Sequence, residues 1–278
     1  MSRPALAALH VYPLKATRGH DLAEAAVEPW GLAGDRRWML FDGAGLAVTQ
    51  RSRPRLALVT AHLLPDGGLR VSAPGSAALH VPVPESGATT VTRLFRDKVE
   101  LLPATAAAHR WFSTYLGTEV RLGYLGDPAG QRPVNPRYAQ PGETVSLADG
   151  YPLLLTSRPS LDALNSLVAA GEYAAEGPLP MDRFRPNVVV TGTPPWAEDR
   201  WRRIAIGEVV FRVVKPCGRC LVTTVDQATG ERGREPLRSL ARHRRLGRRL
   251  AFGQNLVPET TGTLRLGDPV TILDQVDA

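Results

Sequence analysis

The sequence predicts a mainly β chain with a few helices, an α+β fold divided into two β-barrel-like domains. Three observations indicate this. Before residue 105, about nine short apolar segments alternate with turn signals, which is typical of a barrel or sandwich rather than a parallel sheet. Near residue 105 the apolar period changes from that of a strand to that of a helix. A second series of strand-like segments follows, so we predict domains at residues 1–104 and 105–278.

The first predicted domain begins with the strand Leu6–Leu14, which ends at Lys15. Leu22–Val27 and Arg36–Phe41 follow as strands, and Asp42–Gly45 has the composition of a hairpin turn. The remaining strands of this half are predicted at Leu56–Leu64, Leu69–Ala73, Leu79–Val83, Thr90–Phe95 and Lys98–Leu102.

The second predicted domain begins with an amphipathic helix at Thr105–Leu116, which Gly117 ends. Gly126–Gly142 is rich in glycine and proline and is predicted to be a long loop, either a functional lid or a plain surface loop. The later elements are a strand at Tyr151–Thr156, a helix at Ser160–Ala170 capped by Ser157 or Ser160, strands at Arg185–Thr191, Trp201–Ile206 and Val209–Lys215, a helix at Leu237–Arg245 and a closing strand at Leu264–Leu273.

The composition is that of a soluble protein. Hydrophobic residues make up 43% of the chain and charged residues 22%. No apolar run reaches about 18 residues, so no membrane span is expected. The amino terminus lacks the pattern of a signal peptide, and two cysteines do not make a disulfide framework. We therefore expect a cytoplasmic protein.

The formal net charge is +7, and lysine occurs only at Lys15, Lys98 and Lys215. Such a balance favours phosphate or carboxylate ligands and an acidic protein partner equally. Arginines are concentrated at Arg242–Arg249. No aromatic residues interleave this run, so nucleic acid is an unlikely partner, and a solvated helix face or a protein-docking patch is favoured.

Both cysteines, Cys217 and Cys220, lie three positions apart. An apolar alternation precedes them, and Leu221–Val225 is predicted as a second strand, so the thiols occupy a tight loop between strands. Arg219 lies between them, and a neighbouring guanidinium favours the thiolate form.

Four interpretations of this loop remain open from the spacing alone. A C-x-x-C redox pair usually opens a helix in a βαβ unit, and none is evident here. A structural zinc site needs four ligands, and the six histidines show no paired spacing. One thiolate could complete the coordination of a soft metal held by a cofactor. The simplest interpretation is that both cysteines are buried apolar residues without a role in chemistry.

Several segments in the same order resemble the molybdenum-cofactor sulfurase C-terminal (MOSC) domain family. The segment CGRCLVTTVDQATG, with FRPNVVV before it and FGQN and GTLRLGDPV after it, resembles the MOSC domain itself. The segments LHVYPLKATRG and GLAGDRRWML resemble the N-terminal β-barrel domain that accompanies it. The combination of these two domains is similar to that of the mitochondrial amidoxime-reducing components and their bacterial relatives.

This resemblance implies a molybdenum cofactor, a pterin that holds molybdenum through a dithiolene and carries a phosphate. It implies that Cys220 is the metal ligand and the catalytic residue, because a soft thiolate suits the open position, and that Cys217 packs nearby. It also assigns Lys15 and Arg36 to the cofactor, with Ala16 at a position where relatives often have serine. Strand alternation would place Arg37 on the opposite face from Arg36.

The resemblance extends to four further segments. In FRPN, Arg185 would bind an anion and Asn187 the mixed donor and acceptor edge of the pterin. Thr156 and Ser157 match a polar stretch before a helix, near whose amino terminus an anion could lie. The remaining predicted cofactor contacts are Gly218, Arg219 and Asn255.

The implied function is an oxidoreductase that reduces N-hydroxylated or related oxygenated substrates. The chain has no cysteines for an iron–sulfur cluster and no glycine fingerprint for a flavin or nicotinamide, so a separate ferredoxin-like or flavin-bearing protein is expected to deliver electrons. The alternative is a carrier or sulfur-transfer module that binds the same cofactor without reductase activity.

Overall fold

The computed structural model describes residues 3–277, and over this range the chain is mainly β with three α-helices. The strands of the first part are β1 (Ala5–Val11), β2 (His20–Leu22), β3 (Glu24–Glu28), β4 (Gly31–Leu32), β5 (Trp38–Phe41), β6 (Thr60–Leu63), β7 (Leu69–Ala73), β8 (Ser76–Val81), β9 (Thr90–Leu94) and β10 (Asp97–Pro103).

The later elements are α1 (Ala106–Leu116), β11 (Arg121–Tyr124), β12 (Leu153–Ser157), α2 (Arg158–Ala169), β13 (Val188–Thr191), β14 (Trp201–Ile206), β15 (Val209–Gly218), α3 (Leu237–His243), β16 (Arg245–Leu246), β17 (Arg249–Pro258), β18 (Gly262–Arg265) and β19 (Val270–Gln275). Short 3₁₀ helices lie at Pro54–Leu58, Ala174–Glu176, Met181–Phe184, Ala197–Arg200 and Leu221–Thr224.

The largest sheet joins the two ends of the chain. Its order is β19-β14-β15-β17-β12-β13-β1-β2, with β16 paired to β17. β12 and β13 run parallel and are connected through α2, whereas β1 pairs antiparallel to β13. The inward-facing side chains of this sheet, among them Leu155, Phe211 and Leu256, form a fully buried apolar cluster. Burial of this cluster, rather than local propensity, brings the first strand beside a strand from the second half of the chain.

The mainly β, α+β class is confirmed, but closed barrels are not found within residues 3–277. The large sheet meets itself at an isolated bridge between Ala5 and Pro269, where three backbone hydrogen bonds of 2.9 Å join Pro4 and Leu6 to Gly267, Asp268 and Val270. The rest of that edge of β1 is occupied by β2, so β19 cannot continue along it. The three smaller sheets, β5-β11-β10-β9, β18-β3-β4 and β6-β7-β8, are open as well.

Pairing across the predicted domain boundary is extensive. Besides β1 with β13, β3 pairs with β18, and β5 pairs with β11. The division at residues 104 and 105 stays a prediction, and the first five strands contribute to sheets that contain strands from beyond it.

The first helix has the ends that its sequence predicts. The Thr105 hydroxyl accepts a hydrogen bond from Ala108 N–H, and Gly117 ends the helix in the left-handed conformation with φ 65°. Ser157 precedes α2, but its side chain makes no capping hydrogen bond. No helix within residues 3–277 combines the length and apolar character needed to cross a bilayer.

The segment after the cysteines was predicted as a strand, and this prediction is wrong. Leu221–Thr224 is a 3₁₀ helix, because the Thr223 hydroxyl donates to the Cys220 carbonyl at 2.8 Å and the Thr224 hydroxyl to the Leu221 carbonyl at 2.9 Å. These local bonds compete with strand pairing. β15 instead extends to Gly218, with a register shift after Pro216. The cysteines therefore lie at the end of one long strand rather than between two.

Candidate functional site

A cleft of about 850 Å³, including its solvent-filled mouth, forms where several segments converge, among them the turn after β1, the segments before β5, β12 and β13, residues 49–51 and the loop after β15. Most of the residues predicted for the site line it. They are Lys15, Ala16, Arg36, Arg185, Asn187, Cys217, Gly218, Arg219, Cys220 and Asn255.

The buried ring of Tyr12 supports two of the arginines that line the cleft. The guanidinium carbons of Arg36 and Arg185 lie 4.2 Å and 4.4 Å from its centroid. The Tyr12 hydroxyl donates to the Pro186 carbonyl at 3.0 Å, and its backbone N–H donates to the buried Asp35 carboxylate at 2.8 Å. Burial raises the pKa of Tyr12, so the phenol stays protonated and its ring remains a neutral platform for two cations.

Each guanidinium on this platform is fixed by hydrogen bonds. Arg36 donates to Asp35 at 2.6 Å and to the side-chain oxygen of Asn187 at 3.1 Å. Arg185 donates to the Thr17 carbonyl at 2.6 Å. Burial lowers the pKa of Arg185 to about 10, so it is still charged at neutral pH. The Asn187 amide also donates to the His10 carbonyl at 3.2 Å, so this side chain holds Arg36 in place at the cleft, and its contact with a cofactor stays a prediction.

Three cleft residues have strained backbones. Ala16, Arg36 and Arg185 have φ of 68°, 46° and 55°, and these are three of the five non-glycine residues with positive φ within residues 3–277. The left-handed region costs such a residue on the order of 1–3 kcal/mol, and this strain concentrates at ligand sites. Here it turns the arginine side chains towards the Tyr12 ring, which strand geometry would not do.

The Lys15 ammonium is buried at one wall of the cleft. It donates to the Leu147 carbonyl at 2.8 Å and to the Asp149 carboxylate at 2.7 Å. Burial lowers the pKa of Lys15 to about 8, although Asp149 opposes the change. Burial alone would raise the pKa of Asp149, but the charges of Lys15 and then of Arg51 lower it. Because 67% of the Asp149 side chain is exposed, the ion pair with Lys15 outweighs burial, and the pKa of Asp149 is lowered.

The two cysteines face different arginines, and both are free thiols. Arg219 donates to Cys217 Sγ at 2.9 Å and to the Phe184 carbonyl at 2.6 Å. Cys220 Sγ lies 3.6 Å from a guanidinium nitrogen of Arg51. Arg219, which lies between the cysteines in the sequence, therefore binds Cys217. The cation beside Cys220 is Arg51, from a distant segment of the chain.

Arg36 and Arg37 diverge as expected, but for a different reason. β5 begins only at Trp38, and the left-handed turn at Arg36 directs its side chain into the cleft. Arg37 points away and donates to the carbonyls of Leu125 and Gly126.

Thr156 and Ser157 are the predicted site residues that do not line the cleft. Both are fully buried at the end of β12. The Thr156 hydroxyl lies 3.2 Å from the sulfur of Met181, and the Ser157 hydroxyl lies 3.4 Å from that of Thr193. Asn255 lines the cleft, where its amide donates to the Lys215 carbonyl at 3.2 Å.

Two of the charged cleft residues were not anticipated from the sequence. Asp149 lies in the turn Leu147–Gly150 just before β12, and Arg51 lies in a polar run before the 3₁₀ helix at Pro54–Leu58. The available signals were an acidic residue in a turn that precedes a site strand and an arginine in a loop. Neither signal specifies a partner, because Asp149 and Arg51 meet Lys15 and Cys220 only through the fold.

The charged residues that line the cleft are five cations and one carboxylate, namely Lys15, Arg36, Arg51, Arg185, Arg219 and Asp149. Within the described range of residues 3–277, no group of three or more His, Cys, Asp or Glu side chains is arranged to hold a metal ion. Cys220 offers one soft donor that could complete the coordination of a metal brought by another molecule. The site can thus bind a multiply charged anion and present a thiol to it.

Comparisons with known proteins cover nearly the whole chain. Residues 3–119 match the family model of the MOSC N-terminal beta barrel domain, and residues 142–271 match that of the MOSC domain. The chain is 33% identical to mitochondrial amidoxime-reducing component 1 of Homo sapiens, over 97% of this chain and 83% of that protein.

Two further relatives also match most of this chain. Mitochondrial amidoxime reducing component 2 of Rattus norvegicus is 33% identical over 94% of this chain and 80% of that protein. Molybdenum cofactor sulfurase of Danio rerio is 30% identical over 84% of this chain, but the match spans only 30% of that larger protein.

Proposed function

The chain belongs to the family of MOSC-domain proteins that includes the mitochondrial amidoxime-reducing components, and on this premise we propose that it is a molybdenum-cofactor-dependent reductase of N-hydroxylated compounds. Its function is associated with the molybdenum cofactor, as its MOSC domain and its similarity to molybdenum cofactor sulfurase indicate. The substrate class, the bound form of the cofactor and the electron source are parts of the proposal.

The donors in the cleft fit an anionic cofactor. The lining has an excess of four positive charges, and the Nε–H of Arg219 is buried without an acceptor. A buried donor without a partner costs about 1–3 kcal/mol, which an acceptor on a bound ligand would remove. Lys15, Arg36 and Arg185 would hold the phosphate end, since ammonium and guanidinium groups are suited to phosphate oxygens.

The metal end of the cofactor would lie at Cys220. Sulfur is the soft donor that molybdenum already receives from a dithiolene, and Cys220 is partly exposed at the cleft. Cys217 is bound by Arg219 instead, so we assign it a supporting role.

The reaction removes the hydroxyl oxygen of an N–OH group as water, which consumes two electrons and two protons. When bound, the cofactor supplies the two-electron redox chemistry. Arg51 is placed to orient the substrate oxygen by N–H donation, because its guanidinium lies 3.6 Å from Cys220 Sγ and its side chain is 38% exposed. Asp149, at 3.8 Å, and the Phe95 ring, at 4.9 Å from the guanidinium carbon, hold Arg51 in this position.

The observation that carries the proposal is the convergence of Cys220 with five cations in one cleft of a MOSC-family chain. The test is to purify the protein with its cofactor, measure molybdenum and pterin content, and assay reduction of a simple aromatic amidoxime with reduced methyl viologen. We expect amidine formation that depends on cofactor content. A fully loaded protein without turnover would refute the reductase proposal.

That same outcome would favour a carrier or sulfur-transfer role, which the similarity to molybdenum cofactor sulfurase supports. The two functions separate cleanly if loaded protein is also incubated with a cofactor-free molybdoenzyme. A carrier transfers its pterin and activates the acceptor, whereas a reductase retains the pterin through many turnovers.

A further inference from the structure

β16 and β17 form a hairpin that stands next to the cysteine-bearing strand. Arg245 pairs with Leu250 and Leu246 with Arg249, and Gly247 turns the chain with φ 60°. We call residues 245–250 the arginine hairpin. It presents Arg245, Arg248 and Arg249 to solvent, and α3 adds the exposed Arg242 beside it.

Within the part of the chain that the structure describes, these four charges have no carboxylate partners. Arg242, Arg245, Arg248 and Arg249 form no salt bridge within residues 3–277. Arg244 differs, because it pairs with Asp199 and lies 4.0 Å from the Trp196 ring centroid. Of the five arginines in this segment, Arg244 is held by a carboxylate and an aromatic ring. The other four form no salt bridge within residues 3–277 and are exposed.

The arginine hairpin is joined directly to the wall of the cleft. Ala251 pairs with Gly218, and Arg219 N–H donates to the Leu250 carbonyl at 2.7 Å. A Cβ atom at Gly218 would lie only 3.3 Å from Cδ of Arg249. A molecule seated on the hairpin would therefore lie next to the strand end that carries Cys217 and Cys220.

The positive surface continues along the rim of the cleft. The Lys215 ammonium lies 5.3 Å from the ring centroids of both Tyr138 and Tyr151. Arg137 lies 5.6 Å from the same Tyr138 ring centroid, and the pKa of Lys215 is lowered by burial and then by the charges of Arg249 and Arg137. Tyr138 and Tyr151 pack against each other edge to face, so their rings do not form an open stack for nucleic-acid bases.

We propose that the arginine hairpin and Arg242 form the docking surface of an acidic electron-carrier protein of the ferredoxin class. This inference rests on the proposed reductase function, which needs two electrons per turnover from outside the chain. Unpaired cations at the mouth of a redox cleft attract an acidic carrier and raise its association rate, with little cost to the fold. Their position beside Gly218 gives the docked carrier a short path to Cys220.

The test replaces Arg242, Arg245 and Arg248 together by Gln and leaves Arg249, which contacts the cleft wall at Gly218. The matched control replaces Arg70, Arg110 and Arg202 by Gln, which removes the same charge from exposed positions elsewhere. A plant-type [2Fe–2S] ferredoxin is the probe. Its oxidised form is titrated onto each protein at about 50 mM and 500 mM salt, and its reduced form drives turnover beside reduced methyl viologen.

We expect the hairpin variant to lose about tenfold or more in ferredoxin affinity and in ferredoxin-driven kcat/KM at low salt, as removal of electrostatic steering predicts. Its methyl viologen rate and the control variant should be unchanged. Wild-type association should weaken at high salt, where the Debye length is several times shorter. No ferredoxin binding, equal losses in both variants, or tighter binding of a random DNA oligomer at the hairpin would overturn the docking proposal. Absence of methyl viologen turnover would instead refute the reductase function, and the titration would still test the surface.

Discussion

Retention of the anionic cofactor should weaken as the pH rises through about 8, because Lys15 then loses its charge. Lys15 is only 5% exposed, and burial lowers its pKa to about 8 in the cofactor-free protein. Below this pH the ammonium is charged and can bind phosphate. Above it the neutral amine offers hydrogen bonds but no charge.

The expected magnitude follows from this pKa. A group that titrates at about 8 is about 90% charged at pH 7 and about 10% charged at pH 9. A charge-assisted contact contributes roughly 1.5–3 kcal/mol, so binding by the neutral form is weaker by tenfold or more. The apparent cofactor affinity should therefore fall by about five- to tenfold between pH 7 and pH 9. The phosphate contributes little to this change, since its second pKa is near 6.

Two measurements check this. The first is pterin content after equilibration with limiting cofactor at pH 7, 8 and 9. The second is NMR of protein with ¹³C-labelled lysine, in which Lys15, Lys98 and Lys215 are the only signals. Lys15→Arg keeps its charge at every pH tested and should flatten the profile, whereas Lys98→Arg should leave it unchanged. Equal retention at pH 7 and pH 9 in the wild type, or a Lys15 signal that titrates near about 10.4, would show the reasoning to be wrong.

The other predictions concern the metal ligand, the anion site and the substrate site. Cys220→Ser should stay folded and lose methyl viologen-driven turnover, because a hydroxyl is a poor soft donor, while Cys217→Ser should keep more than about half of it; the opposite ranking in cofactor-loaded samples would contradict the assignment. Arg36→Ala and Arg185→Ala should each lower pterin occupancy by about tenfold under limiting cofactor, and full occupancy in both would mean that these side chains are structural. Arg51→Gln should leave cofactor content intact and raise KM for the amidoxime by about tenfold, with partial rescue in Arg51→Lys; an unchanged KM would remove Arg51 from the substrate site.

The sequence by itself determined the elements whose signals are local. The helix Ala106–Leu116 was predicted closely because its start and stop depend on Thr105 and Gly117, which act within a turn. The strand that leads to the cysteines was also predicted from a local pattern. Alternating apolar residues indicate a strand with one buried face. Both thiols of the cleft and four of its six charged residues, Lys15 among them, were identified through motifs that match a family in order, and the roles assigned to them stay predictions.

Only the tertiary structure decided which of these residues meet. Leu221–Val225 has the composition of a strand, but threonine hydroxyls that bond to nearby carbonyls turn it into a 3₁₀ helix and place Cys220 at the cleft. Thr156 and Ser157 have the polarity of ligand contacts, yet packing buries both. The local sequence around Asp149 and Arg51 does not specify their partners, because these partners come from remote segments.

The prediction of closed barrels differs from the observed open sheets because it also depended on contacts between remote segments. Short strands and turns determine that the chain is mainly β, since alternation and turn chemistry are properties of neighbouring residues. Closure depends on which edges remain free once distant strands have paired, and β2 occupies the edge of β1 that β19 would need. The sequence therefore determined the strands, the cations and the thiols of this protein. The long-range burial that pairs β1 with β13 decided the open sheet and the single cleft in which these groups converge.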